Sequence, residues 1–110
     1  MKNYVSLKNS KEFKNVYDHG RSYANKYLVA YVLENGTDIT RLGISVSKKV
    51  GNSIVRHRMT RLIRESFRLN KENIRTGYDI VIIARSGLKG KGYEEASKAF
   101  LHLCSLHSII

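Results

Sequence analysis

Between Lys48 and Arg68 the chain carries seven basic side chains: Lys48, Lys49, Arg56, Arg58, Arg61, Arg64 and Arg68. They face a single acid, Glu65, so 21 residues hold a net +6, more than half of the chain's formal +11. From Arg56 onward every one of them is arginine. Guanidinium is a planar fork that meets phosphate oxygens two at a time, whereas lysine would serve solubility as well. The chemistry these side chains suit is the capture of a polyanion. A merely solvated face is the competing reading. Like charges at i, i+3 and i+4 repel and weaken an isolated helix, and a bound polyanion offsets that cost.

The residues of a protein nuclease are not gathered in the same way. The nine acids are Glu12, Asp18, Glu34, Asp38, Glu65, Glu72, Asp79, Glu94 and Glu95. They are scattered, and only Glu94 and Glu95 adjoin, at an expected helix start where acids suit the helix dipole. No set offers the converging carboxylates of a two-metal site. His19, His102 and His107 lack metal-ligand spacing, so no catalytic or metal residue is expected. His57 lies amid the arginines, where a phosphate or base contact is favoured over an acid–base role. Cys104 falls in an apolar helical pattern, as a small core residue does.

These side chains need elements to hold them. Gly51-Asn52-Ser53 reads as a turn into a helix, with Asn52 or Ser53 as N-cap. At 100° per residue, Val55, Met59, Leu62, Ile63, Phe67 and Leu69 fall on one side of it. His57, Arg61, Arg64 and Arg68 fall opposite, spaced i, i+4, i+7, i+11. Upstream, Asn9 and Glu12 resemble a capping pair, and a helix is expected over 9–19 with Phe13, Val16 and Tyr17 on one face. Residues 22–25 form a short strand. Tyr27 to Leu33 makes a firmer one, with Leu28, Ala30 and Val32 on one face and Tyr27, Val29 and Tyr31 on the other. Asn35-Gly36 predicts a hairpin into the strand 41–47, whose inward residues are Leu42, Ile44 and Val46. Gly43, Ser45 and Ser47 leave its other face small. A buried-type strand follows at 78–84, and a helix from Tyr93 to about His107 buries Ala96, Ala99, Phe100 and Leu103.

At 110 residues, without repeats, low-complexity tracts or proline, residues 1–110 are expected to form a single RNA-binding domain. The fold class is α+β, a single-domain α-β sandwich in the order α-β-β-β-α-β-α. A sequence pI near 10.0 fits nucleic acid or an anionic surface. The longest apolar run, Tyr27 to Leu33, is far short of a membrane span, and no signal-peptide segment opens the chain. One cysteine forms no internal disulfide, which suits a reducing cytoplasmic setting.

The stretch RLGISVSKKVGNSIVRHRMTRLIRESF resembles the signature of the bacterial ribonuclease P protein subunit. That family has a strand, then Ser-Lys-Lys, Gly-Asn, and a helix with an Arg-Asn-Arg core followed by Lys-Arg and Arg-Glu. KEFKNVYDHGRSYANKYLVAYV and YDIVIIAR are similar too, so the likeness covers most of the chain. His57 stands where Asn is usual, and Thr60 where Lys is usual. The resemblance implies a fold like the second domain of ribosomal protein S5, with a left-handed β-α-β crossover in place of the general right-handed one. It implies a subunit of an endoribonuclease whose catalytic centre, with Mg²⁺, lies in the RNA subunit. The protein would bind no cofactor itself. It would bind the ribonuclease P RNA, one to one, and the 5′ leader of precursor tRNA. Lys48, Lys49, Asn52, Arg56, Arg58, Arg61 and Arg64 match the catalytic-RNA-binding signature, and Arg68 completes their stripe. Phe13, Tyr17, Val29 and Tyr31 match the leader-binding cleft, with His57 expected at its edge.

Two other readings share the composition. One is a ribosomal or other structural RNA-binding protein. The second is a DNA-binding regulator whose basic helix enters a major groove, but a strand, not a second helix, precedes the basic helix.

Overall fold

The computed structural model describes residues 4–110. Its elements run β1 (Val5–Ser6), α1 (Ser10–His19), β2 (Arg21–Ala24), β3 (Leu28–Glu34), β4 (Arg41–Ser45), α2 (Ser53–Asn70), β5 (Tyr78–Ala84) and α3 (Tyr93–Leu106). The five strands make one mixed sheet in the order β1-β4-β5-β3-β2. The order of helices and strands is the expected one, preceded by β1. Two residues are too short to show a period of two, and β1 owes its place to parallel pairing with β4.

The expected hairpin between β3 and β4 does not form. β5 lies between them, antiparallel to β3 and parallel to β4. The reason lies in β5 itself. Ile80, Ile82 and Ala84 belong to the cluster on one sheet face, Val81 and Ile83 to the cluster on the other. A strand that is apolar on both faces belongs in the middle of a sheet. Asn35 still makes a turn, accepting from the Thr37 N–H at 3.0 Å, but its amide donates to Asp79 on β5 at 2.9 Å. Between β4 and β5 the chain crosses through α2.

The helices divide between the faces. α2 and α3 cover one, burying Met59, Ile63, Phe67, Phe100 and Leu103 against Leu28, Ala30, Leu42, Ile80 and Ile82. Each large apolar side chain removed from water there contributes about 1.5–3 kcal/mol. α1 covers the other face, with Val16 buried beside Leu7 and Val81. Asn9 caps α1, accepting from the Glu12 N–H at 3.0 Å. Leu69, expected on the apolar side of α2, is 54% exposed. Ser66 is buried in its place, its hydroxyl donating to the Leu62 carbonyl at 2.8 Å. At 100° per residue Ser66 falls near the centre of the apolar side and Leu69 at its margin, so Leu69 faces the groove toward Tyr93 while Phe67 in the same turn is buried.

One charged device ties β4, β5 and α1 together. Arg41 donates to both oxygens of the buried Asp79, at 2.8 and 2.6 Å, and to Glu12 at 2.7 Å. Burial pushes the Asp79 carboxyl up, but hydrogen bonds from Arg41 and Asn35 outweigh it and hold the group below its ordinary value. The pairing fixes the register at which Arg41 sits opposite Asp79.

Candidate nucleic-acid interface

The basic helix is set by the turn before it. The Ser47 hydroxyl accepts from the Lys49 N–H at 3.1 Å and its carbonyl from Val50 at 3.0 Å, while the Val50 side chain is buried. Lys48 and Lys49 are thereby left exposed on the outside of the turn. Asn52 is the N-cap, its side-chain oxygen accepting from the Val55 N–H at 3.0 Å. With Met59, Ile63, Ser66 and Phe67 anchoring the inner face, the arginines have no place in the core.

They do not form one uniform stripe. Arg56, Thr60 and Arg64 follow the flank that leans toward the sheet edge. Arg64 donates to the Tyr4 hydroxyl at 3.0 Å, and with Thr60 it lines a depression shared with Phe13, Leu42 and Gly43. Arg56 donates to the Gly51 carbonyl at 3.2 Å. His57, Arg58 and Arg61 are exposed and line a different, wider groove of about 700 Å³, which runs toward α3. Arg68 is paired with Glu65 one turn away, and that bond keeps the Glu65 carboxyl below its ordinary value.

On the far sheet face the aromatics meet as the sequence suggests. Phe13 and Tyr17 lie 6.5 Å apart between ring centroids, and Tyr17 meets Tyr31 edge to face at 5.0 Å. Tyr17 is 36% exposed. Burial pushes its hydroxyl up, opposed by a hydrogen bond from Ser45. Val29 is half-buried on β3, two residues from Tyr31. The floor under Phe13 is Gly43, where an added Cβ would stand 2.6 Å from the ring. So Phe13, Tyr17 and Tyr31 form one cluster above the small face of β4. His57 is not brought to it and lies instead in the groove with Arg58 and Arg61.

Three features escaped the sequence. The Arg64–Tyr4 bond joins residues 60 apart and leaves no local signal. Gly43 did leave one, since a glycine inside a strand marks a close approach. The groove beside α2 is completed by Tyr93 of α3, which lines it together with Leu69, and only packing reveals that. Among the described residues, no three of His, Cys, Asp and Glu are grouped to hold a metal, and no helix is long and apolar enough to cross a membrane.

A helix with an arginine-rich outer face, crossing between parallel strands, on a sheet whose other side carries an aromatic cluster, has close counterparts. A family model described as ribonuclease P matches residues 1–107. The chain belongs to the ribonuclease P protein family. The ribonuclease P protein component of Lachnoclostridium phytofermentans is 65% identical over 105 residues, spanning 96% of this chain and 90% of that protein. The Staphylococcus aureus RNase P protein superposes with a TM-score of 0.87 at 34% identity, covering 97% of this chain and 98% of that one. The Thermotoga maritima RNase P protein gives 0.85 at 33% identity, covering 92% and 96%. The chain is thus similar to protein components of an RNase P enzyme along nearly their whole length, and its mixed sheet with three helices is the fold of that family.

Proposed function

We propose that this chain is the protein subunit of a ribonuclease P ribonucleoprotein and assists endonucleolytic removal of the 5′ leader from precursor tRNA. The catalytic centre is in the RNA subunit, which requires Mg²⁺, and the protein contributes binding. The whole chain acts as one RNA-binding domain, one copy per RNA subunit, in the cytoplasm. Lys48, Lys49, Asn52, Arg56, Arg58, Arg61, Arg64 and Arg68 contact the RNA subunit. Phe13, Tyr17, Val29 and Tyr31 receive the leader.

The observation that carries this reading is the division of labour across the sheet. Arg58 and Arg61 stand outside the core on the α2 side, an open aromatic cluster above a glycine floor stands on the α1 side, and Arg64 reaches the sheet edge where the two meet beside Phe13 and Gly43. Extended single strands stack on aromatics at about 1–3 kcal/mol per base, and phosphate contacts supply affinity without sequence preference. Mature tRNA lacks a leader and gains nothing from the aromatics. In the assembled enzyme, Tyr17→Ala and Tyr31→Ala are therefore expected to weaken binding of precursor tRNA about tenfold while leaving mature tRNA nearly unchanged. Equal losses for the two tRNAs would remove the leader assignment. Failure of the wild-type protein to promote release of 5′-mature tRNA by a cognate ribonuclease P RNA would remove the whole reading.

A further inference from the structure

The groove between α2 and the start of α3 is built unlike ordinary solvated surface. Ile54 is 79% exposed, Leu69 54% and Tyr93 36%, and all three line it together with Leu62. These side chains share one concave surface, so a flat apolar group entering it is covered on more than one side. The same groove is rimmed by Arg58 and Arg61. The four ion pairs among the described residues involve neither of them. Its one acid, Glu65, is already engaged by Arg68. The groove therefore offers an apolar floor with one aromatic ring and a cationic rim.

We propose that this groove is a docking site for an unstacked nucleotide of the RNA subunit, its base laid against Tyr93 and Leu69 and its phosphates held by Arg58 and Arg61. This rests on the reading of α2 as an RNA-binding helix and adds a second kind of contact to it. Charge selects the occupant, because a rim of guanidinium groups favours a polyanion. The apolar floor then selects its state. A base inside a duplex hides both faces in the stack, and only one turned out of it can cover a tyrosine ring. The groove's volume of about 700 Å³ lies within the range of small-ligand clefts, about 300–1,000 Å³. The site is separate from the aromatic cluster under α1, because α1 and α2 cover opposite faces of the sheet.

The test measures binding of full-length protein to ribonuclease P RNA at several salt concentrations. It compares wild type with Tyr93→Ala, Tyr93→Phe, Leu69→Ala and Arg61→Ala, each checked for an unchanged melting curve. Tyr93→Ala is expected to weaken binding about 5- to 150-fold, the range of one stacked base, without changing the slope of log K against log salt. Tyr93→Phe keeps the ring and should bind as wild type. Leu69→Ala, at a position too exposed to matter for folding, should also weaken binding with the slope unchanged. Arg61→Ala should weaken binding and flatten the slope. In wild type a base of the RNA should lose reactivity to nucleobase-modifying reagents on binding, and Tyr93→Ala should restore it. If Tyr93→Ala and Leu69→Ala both bind within twofold of wild type while Arg61→Ala weakens, the base pocket is refuted and α2 remains an RNA contact. An acidic protein segment would then be the better occupant. If Arg61→Ala has no effect either, the RNA-binding assignment of α2 fails with it.

Discussion

Gly43 shows how one residue's lack of a side chain shapes the aromatic cluster. Phe13 reaches down onto β4 and its ring edge occupies the space a Cβ would need, at 2.6 and 2.8 Å. A ring can swing where backbone cannot, so Gly43→Ala should displace Phe13 rather than unfold the protein. The expected cost is about 1–3 kcal/mol from overpacking, read as a lower urea midpoint, together with weaker precursor tRNA binding. A variant with wild-type stability and binding would show that the ring does not depend on this floor. His107 gives a second prediction, in pH. Its Nε2–H donates to the Ala30 carbonyl at 2.8 Å, and its ring meets Tyr23 edge to face at 4.7 Å. Burial lowers its pKa, the Ala30 contact opposes that, and the charge of Arg21 adds to the lowering. The native state thus resists a proton that the unfolded chain accepts near pH ~6.5. The stability this contributes is present above that value and is lost as pH falls through the lowered native one. From about pH 7.5 to about 5.5 the urea midpoint should fall more in wild type than in His107→Gln. Identical pH dependence in the two would exclude His107 as the source.

At the scale of elements, α2 was the most legible part of the chain, since its apolar period and its N-cap Asn52 are both local. What its sequence could not show is that its basic surface has two flanks, set by what lies beside each. Arg64 leans on the Tyr4 hydroxyl beside β4, whereas Arg61 stands in the groove toward α3. The consequence is measurable. Arg61→Ala should leave the melting temperature unchanged and reduce the salt slope of RNA binding by about 1. Arg64→Ala should do the same to the slope and, in addition, cost about 0.5–1.5 kcal/mol for its lost hydrogen bond. Equal stability of the two variants would mean the Tyr4 contact contributes nothing. The sheet was less legible for the converse reason. Each strand's alternation could be read, and with it the separation of Tyr31 from Leu28, Ala30 and Val32. Which strands pair is decided by long-range burial. The turn at Asn35 suggested a hairpin, but β5, apolar on both faces, needed the centre of the sheet and took it. The candidate site followed the same division. Phe13, Tyr17 and Tyr31 come together because helix and strand periodicity place them. His57 joins Arg58 and Arg61 instead, because its side of α2 overlooks α3.

For the molecule as a whole, a formal charge of +11 on 110 residues sets the conditions under which it is most stable. Self-repulsion among so many cations opposes the compact state. The repulsion is concentrated, since α2 and the turn before it hold the seven basic residues against one acid. A multivalent anion that binds this surface in the native state, and finds no such arrangement in the unfolded chain, stabilises the fold by mass action. Screening alone would make all salts of equal ionic strength alike. Sulfate and phosphate should therefore raise the melting temperature more than chloride at matched ionic strength. Sulfate also stabilises proteins generally, through exclusion from their surfaces, so the comparison needs a control of equal net charge. Replacing Arg61 and Arg64 with alanine and adding two lysines on the face away from α2 provides it. General exclusion and total charge are then unchanged, while the local cluster is diluted. The expected outcome is a sulfate increment clearly smaller in this variant than in wild type, with the chloride response the same in both. A sulfate increment of equal size would place the effect in general exclusion and leave the basic helix without a role in anion-linked stability.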